Sequence, residues 1–260
     1  MREQHRKPRA TTPRVMFSPA VEPVTSAPAA DGEVGVARGG VFCVEGQWHR
    51  DLNERGSVLP TLELLERLGK IRFIHKDAAT RDELFYFIDR WLLKQYADYR
   101  VGFFAMHGEP SRLCLTDWVS VELADVAELM AGRCDGRRLY FGSCSVLRAP
   151  DAVLREFLNA TGAALICGFT REVDWVESAA FETVLLDVLA NGQRHNAAEL
   201  RMGSAHWAPL ASYLGFRVIY ANGRAWRPAV RNRVPAQPAG GRAAARPHGG
   251  GPGAGVSARP

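Results

Sequence analysis

The run VGFFAM (residues 101–106) holds no polar side chain, and ALICGF (164–169) repeats the case later in the chain. A strand of that kind must be covered on both faces, which puts it inside a sheet flanked by helices. Around these runs, short β-branched or aromatic segments alternate with longer helical patterns. GVFCVEG (40–46) reads as a first strand. SVLPTLELLERLG (57–69) follows as a helix, with Ser57 as its cap, Val58, Leu62 and Leu65 on one face and Gly69 as its stop. IRFIHK (71–76) alternates apolar and polar residues, as an edge strand does.

The next helix announces its start. Thr80-Arg81-Asp82-Glu83 is a capping box, and Leu84, Phe85, Ile88, Trp91 and Leu92 then form one apolar stripe. Beyond the 101–106 run, RLCLTDWVSVEL (112–123) has the alternation of a hairpin, and a short helix over 123–131 leads into the strand RLYFG (138–142). PDAVLREFLNATG (150–162) and DWVESAAFETVLLDVLANG (174–192) read as helices on either side of the second apolar run, and FRVIY (216–220) as a late strand. Such alternation predicts an α/β fold, a three-layer α/β/α sandwich with a mainly parallel sheet.

Composition bounds the domain. Of 260 residues, 47% are apolar, which is ample for one core. Residues 1–38 are rich in Pro, Ala and Thr, and residues 228–260 in Arg, Gly, Pro and Ala. Segments of that composition bury too little surface to offset the entropy of ordering, so both read as disordered tails around one body over 39–227.

The formal charge of +5 is unevenly shared. Residues 1–40 carry six Lys or Arg against four acids, and residues 224–260 carry seven Arg and no acid, which leaves a net −4 on residues 41–223. The basic character belongs to the tails, so the body is not expected to bind nucleic acid specifically. No stretch approaches the roughly 18 apolar residues of a membrane span, and the N-terminus lacks a signal-peptide core, which predicts a cytoplasmic protein without membrane contact. Five cysteines without a paired spacing fit a reducing compartment, with Cys43, Cys134 and Cys167 as ordinary thiols.

Two strand ends carry chemistry. The 101–106 run closes on His107-Gly108, and RLYF closes on Gly142-Ser143-Cys144. In an open α/β sheet, functional groups gather where strands end at their carboxyl termini. If the two strands are neighbours, about 4.8 Å apart, an imidazole stands beside a thiol that it can deprotonate. Gly108 permits a close backbone approach, so its N–H and that of Cys144 can form an oxyanion hole, an effect of about 3 kcal/mol per donor.

These segments resemble the caspase-like cysteine peptidases of clan CD, and especially their CHAT-domain branch. FFAMHG is similar to that family's apolar block ending in His-Gly, and LYFGSCSVL to its block ending in a small residue, Cys and another small residue. Residues 164–192 resemble its strand, acidic loop and long helix after the cysteine. The chain reads Gly142-Ser143-Cys144-Ser145-Val146 where caspases have Gln-Ala before the cysteine and Gly two residues after it.

The resemblance spans about 41–192. It implies a caspase-like fold and a cysteine endopeptidase with His107 as general base, Cys144 as nucleophile and the N–H groups of Gly108 and Cys144 as oxyanion hole. It implies no cofactor and no metal, a polypeptide substrate, and room for an activating protein partner.

Family members select one residue beside the cleaved bond through a polar pocket, for which Asp117, Glu172 and Asp174 are candidates toward a basic side chain. Their ordinary reading is as solvated loop acids, and Trp118 and Trp175 read as its walls or as ordinary packing. A catalytically silent scaffold that binds a partner is the alternative, with a redox-sensing Cys144 as a third reading. A zinc site from His107, Cys114, Cys134 and Cys144 lacks any C-x-x-C pair, and no Gly-rich phosphate loop is present.

Overall fold

The structure, a computed structural model, describes residues 38–229 apart from 117 and 118. The two expected tails fall outside the described residues save for Arg38, Pro228 and Ala229. Asp117 and Trp118 fall outside them too.

In chain order the elements are β1 (Gly39–Glu45), α1 (Leu59–Arg67), β2 (Ile71–Asp77), α2 (Arg81–Trp91), β3 (Val101–Ala105), β4 (His107–Glu109), β5 (Arg112–Cys114) and β6 (Ser120–Glu122). There follow α3 (Leu123–Leu129), β7 (Arg138–Phe141), α4 (Asp151–Thr161), β8 (Leu165–Phe169), α5 (Trp175–Asn191), α6 (Ala197–Met202), α7 (Ala208–Tyr213), β9 (Phe216–Tyr220) and β10 (Ala225–Trp226). The main sheet has the order β10-β9-β8-β7-β3-β1-β2, and β4-β5-β6 form a small second sheet. Strands β2, β1, β3, β7 and β8 run parallel. β9 and β10 add an antiparallel edge, so the sheet is mainly parallel, as the alternation implies.

Neighbouring residues along each strand feed two separate apolar clusters. Cys43, Phe103, Ala105, Tyr140 and Cys167 share one with Leu62 of α1 and Phe181, Leu185 and Leu189 of α5, which Met202 of α6 and Ala211 of α7 also join. Val44, Phe104, Phe141 and Ile166 share the other with Leu84, Ile88 and Trp91 of α2, Val126 of α3 and Leu154 and Phe157 of α4. The central strands are buried throughout because both faces are covered.

Three local expectations are revised. Val58, not Ser57, holds the N-cap position of α1, though Ser57 Oγ still accepts from Leu59 N at 3.1 Å while donating to Glu45. His107, expected just past the 101–106 strand, opens a further short strand, β4, which pairs with β5. Helices α6 and α7 occupy the stretch between α5 and β9, for which no element is expected from the pattern. The Thr80 box forms as read: Thr80 Oγ1 accepts from Glu83 N at 3.2 Å, and Glu83 Oε2 accepts from Thr80 N at 3.0 Å. Among the described residues, no helix is long and apolar enough to cross a membrane.

Candidate active site

Parallel pairing of β3 with β7 brings the two strand ends together. Phe104 stands opposite Phe141, and three residues beyond each of them lie His107 and Cys144. The turn carrying the cysteine is fastened to β3. Gly142 N donates to Phe104 O at 3.0 Å, and the fully buried Ser143 hydroxyl donates to the same oxygen at 3.3 Å. Ser145 takes a left-handed φ of 58°, an uncommon conformation for a residue with a Cβ, and its N–H donates to Arg171 O at 3.2 Å.

Gly108 closes the arrangement from the other side. A Cβ there would lie 2.5 Å from Val146 Cγ2 and 2.7 Å from the Cys144 carbonyl oxygen. Only glycine lets the residue after the histidine pack so closely on the backbone of the cysteine.

The His107 imidazole is exposed, and its Nε2 lies 2.8 Å from the Trp48 carbonyl oxygen. A carbonyl can only accept, so Nε2 carries the hydrogen and Nδ1 keeps its lone pair. The Trp48 ring meets the imidazole edge-on at 5.2 Å and meets Trp175 edge-on at 4.8 Å.

Trp48 in turn is held by Glu45, a 2% exposed carboxylate at the end of β1. Glu45 accepts from Trp48 Nε1 (2.5 Å), Ser57 Oγ (2.8 Å), Val58 N (2.8 Å) and His75 Nε2 (2.6 Å). Burial pushes this carboxyl up, but the four donors outweigh it and hold Glu45 below the usual carboxylate range. A line of contacts therefore runs from His75 through Glu45 and Trp48 to His107.

Cys144 is half-buried, and burial raises its thiol above the ordinary value. Its own N–H and that of Val173 face the sulfur and favour the thiolate, whereas the charge of Glu172 opposes it. Raised in this way, the sulfur rests as a neutral thiol near pH 7 and needs a base to become a nucleophile. No hydrogen bond joins it to His107 in this conformation.

Both side chains nevertheless line one cavity of about 130 Å³, together with Trp48, Val173, Trp175, Ala179 and Glu182. Glu182, on α5, is 4% exposed and accepts from the Tyr140 hydroxyl at 2.7 Å. Burial pushes its carboxyl up to about 8. On the other side of His107 a wider groove of about 500 Å³ is bordered by Gly108, Glu109, Arg112, Cys114 and Glu172.

The three acids named from the sequence fall in different places. Glu172 borders the groove and is felt by Cys144. Asp174 is the N-cap of α5, its Oδ1 accepting from Val176 N at 2.9 Å and Glu177 N at 3.1 Å, so this carboxylate serves the helix. Asp117 lies outside the described residues. Trp175 does wall the cavity.

Cys134 is buried with its thiol directed at Met130 O, and it does not line the cavity. Cys43 and Cys167 are buried too, their thiols pushed up by desolvation. Among the described residues, Glu45, His75 and Asp77 are the one group of His, Cys, Asp and Glu side chains close enough together to hold a metal ion. The hydrogen bond from His75 to Glu45 accounts for the closeness of two of the three.

Sequence reasoning did not reach Glu45, Trp48, Tyr140 or Glu182. Two of them left a trace: Glu45 is an acid closing an apolar strand, and Glu182 stands on the apolar stripe of Leu185, Leu186 and Leu189 at i+3, i+4 and i+7. No curated protein matches the sequence. A family model described as "Family of unknown function (DUF6642)" matches residues 39–220, which is most of the chain, and the protein belongs to that family.

Proposed function

We propose that the protein is a cysteine endopeptidase of the caspase-like, CHAT-like type, acting through a His107–Cys144 dyad. The observation that carries this reading is that the imidazole and the thiol line one cavity at adjoining strand ends, with the imidazole's outer nitrogen tied to Trp48 O so that its basic nitrogen is free.

In the proposed reaction, His107 Nδ1 takes the proton of Cys144 Sγ as the sulfur attacks a peptide carbonyl carbon. The carbonyl π electrons move onto oxygen, which the N–H groups of Gly108 and Cys144 stabilise. Collapse of the tetrahedral intermediate breaks the C–N bond, and the proton on His107 passes to the leaving amine. Water then attacks the thioester, giving its proton to His107, and the carboxylic acid and the thiol are released. Trp48 O keeps the imidazole in the required tautomer and stabilises the imidazolium. Because the thiol is raised rather than lowered, its activation depends on the imidazole throughout.

A polypeptide is the substrate, an activating protein partner fits this reading, and neither a cofactor nor specific nucleic acid enters it. A cytoplasmic location accords with five free thiols and with the lack of a membrane-crossing helix among the described residues. The alternative, a silent scaffold, is favoured by one observation, the absence of a hydrogen bond between His107 and Cys144. Catalytic hydrogen bonds of this kind tighten when substrate binds, which keeps the enzyme reading ahead.

A peptide-library cleavage profile of the wild type against Cys144→Ala and His107→Ala tests the proposal. Cleavage is expected from the wild type alone. Labelling of Cys144 by iodoacetamide is expected to slow at least tenfold in His107→Ala. A wild type that cuts nothing, with labelling indifferent to His107, would establish the scaffold instead.

A further inference from the structure

We infer that the cavity beside Cys144 receives the side chain of an arginine or lysine of the substrate, with Glu182 as its anionic floor. This rests on the peptidase reading for the word substrate, but the cavity's own chemistry carries it. An apolar cavity of about 150 Å³ accommodates one benzene, so the roughly 130 Å³ found here suits a single side chain and not a folded segment. Its walls are mostly apolar, from Trp48, Val58, Val173, Trp175 and Ala179 with Ser57, Thr61 and Ser178 between them, and match the methylene stem of a long side chain.

One carboxyl group stands against that lining. Glu182 is nearly fully buried, and among the described residues Tyr140 is the one hydrogen-bond donor it has. A carboxylate offers about four acceptor positions, so most of its capacity is unfilled. Among the described residues, no Lys or Arg lines the cavity.

Gly142 brings the backbone of the cysteine turn against this carboxyl: a Cβ there would lie 3.0 Å from Glu182 Oε1. The carboxyl thus sits against the turn that carries Cys144, in the cavity that Cys144 also lines. An ammonium or guanidinium supplies the donors and the charge that the site lacks, whereas an aliphatic tip would leave the acceptor capacity empty.

The titratable groups around Glu182 are the Tyr140 hydroxyl on β7, Glu45 and the Cys43 thiol on β1, and His107 and Cys144 across the cavity, and none of them is a Lys or Arg. Binding of a cation must therefore displace the carboxyl proton. With the carboxyl pushed up to about 8, affinity for the cation rises with pH up to that value, by about tenfold per unit.

The test titrates the full-length protein with n-butylguanidinium and with its neutral isostere n-butylurea, following tryptophan fluorescence, since Trp48 and Trp175 wall the cavity. The cation is expected to bind at least tenfold tighter at pH 8, and less tightly at pH 6. Glu182→Gln is expected to bring the two ligands level. Ala179→Leu, which keeps the carboxyl and fills the cavity, is expected to abolish both and serves if Glu182→Gln fails to fold. Equal affinity for the two ligands in the wild type, or a preference for the urea, overturns the assignment.

Cleavage assays separate this inference from the reading it rests on. Cutting at least 100-fold faster after Arg or Lys than after Leu, lost in Glu182→Gln, supports both. Cutting with any other preference sinks the cavity assignment and leaves the peptidase. No cutting, with the guanidinium still preferred and Glu182-dependent, sinks the peptidase and leaves a cation-binding cavity.

Discussion

A buried acid without a cation should lower the stability of the fold, and Glu182 allows the cost to be worked out. An exposed glutamate titrates near 4.3 in the unfolded chain, whereas burial pushes Glu182 up to about 8 in the fold. Between those values the folded state holds a proton that the unfolded chain has already released, so stability falls as pH rises through that window. At 1.36 kcal/mol per pH unit, the loss is about 1 kcal/mol at pH 5, about 3.6 at pH 7 and about 5 at pH 9.

Glu182→Gln removes the titration while keeping an oxygen for the Tyr140 hydroxyl. The variant is therefore expected to gain on the wild type progressively with pH. The assay is urea unfolding followed by tryptophan fluorescence at pH 5, 7 and 9. With a slope of about 2 kcal/mol per molar urea, the midpoint difference should grow by about 1 M between pH 5 and pH 7, and further by pH 9. Glu45 is held low and the Cys43 thiol and Tyr140 hydroxyl are held high, so none of them adds a titration step of its own in the fold between pH 5 and pH 9. A difference that stays flat with pH, or a variant that is weaker at pH 9, would refute the reasoning. It would mean that the carboxyl is ionised in the fold and satisfied by a partner.

Three further outcomes follow from named contacts. Gly108→Ala drives a methyl group into the Cys144 carbonyl and Val146, and is expected to cost about 1–3 kcal/mol in thermal unfolding and at least tenfold in cleavage rate as the dyad is displaced. Glu45→Ala leaves four donors without an acceptor and should cost about 3–5 kcal/mol. Since Glu45 is held below its ordinary range, its contribution is present above about pH 4.3 and fades as pH falls through the folded value, so unfolding scans from pH 6 to pH 3 should show a loss in the wild type that Glu45→Ala lacks. Thr80→Ala breaks the capping box far from the cavity, and is expected to cost about 1 kcal/mol in urea unfolding with the cleavage rate unchanged.

What could be read from the chain was whatever is encoded locally. The box at Thr80 and the apolar stripe after it lie within one short stretch, and each apolar run states its own burial. Helices α6 and α7 were not legible, because six residues are too few turns to display a period. The direction of β9 was hidden for a related reason: FRVIY is buried throughout, and its pattern is the same whichever way it lies against β8. His107 opening a strand depended on β5 across the turn, a pairing that three-residue strands signal weakly.

The candidate site divides along the same line. His107 and Cys144 can be found by counting, since each follows an apolar strand by a fixed step and adjacent parallel strands carry that step to one edge. The group that orients the imidazole is a main-chain carbonyl 59 positions away, and a carbonyl has no letter in a sequence. Asp174 shows the converse case: its placement before a long helix fitted a substrate-binding loop, and the same placement is what an N-cap requires, a part the carboxylate does play. Glu182 was written on the apolar face of its helix in plain view. A carboxyl on such a face costs the fold stability, and a chain that keeps one in the cavity lined by Cys144 gives up that stability where a ligand could restore it.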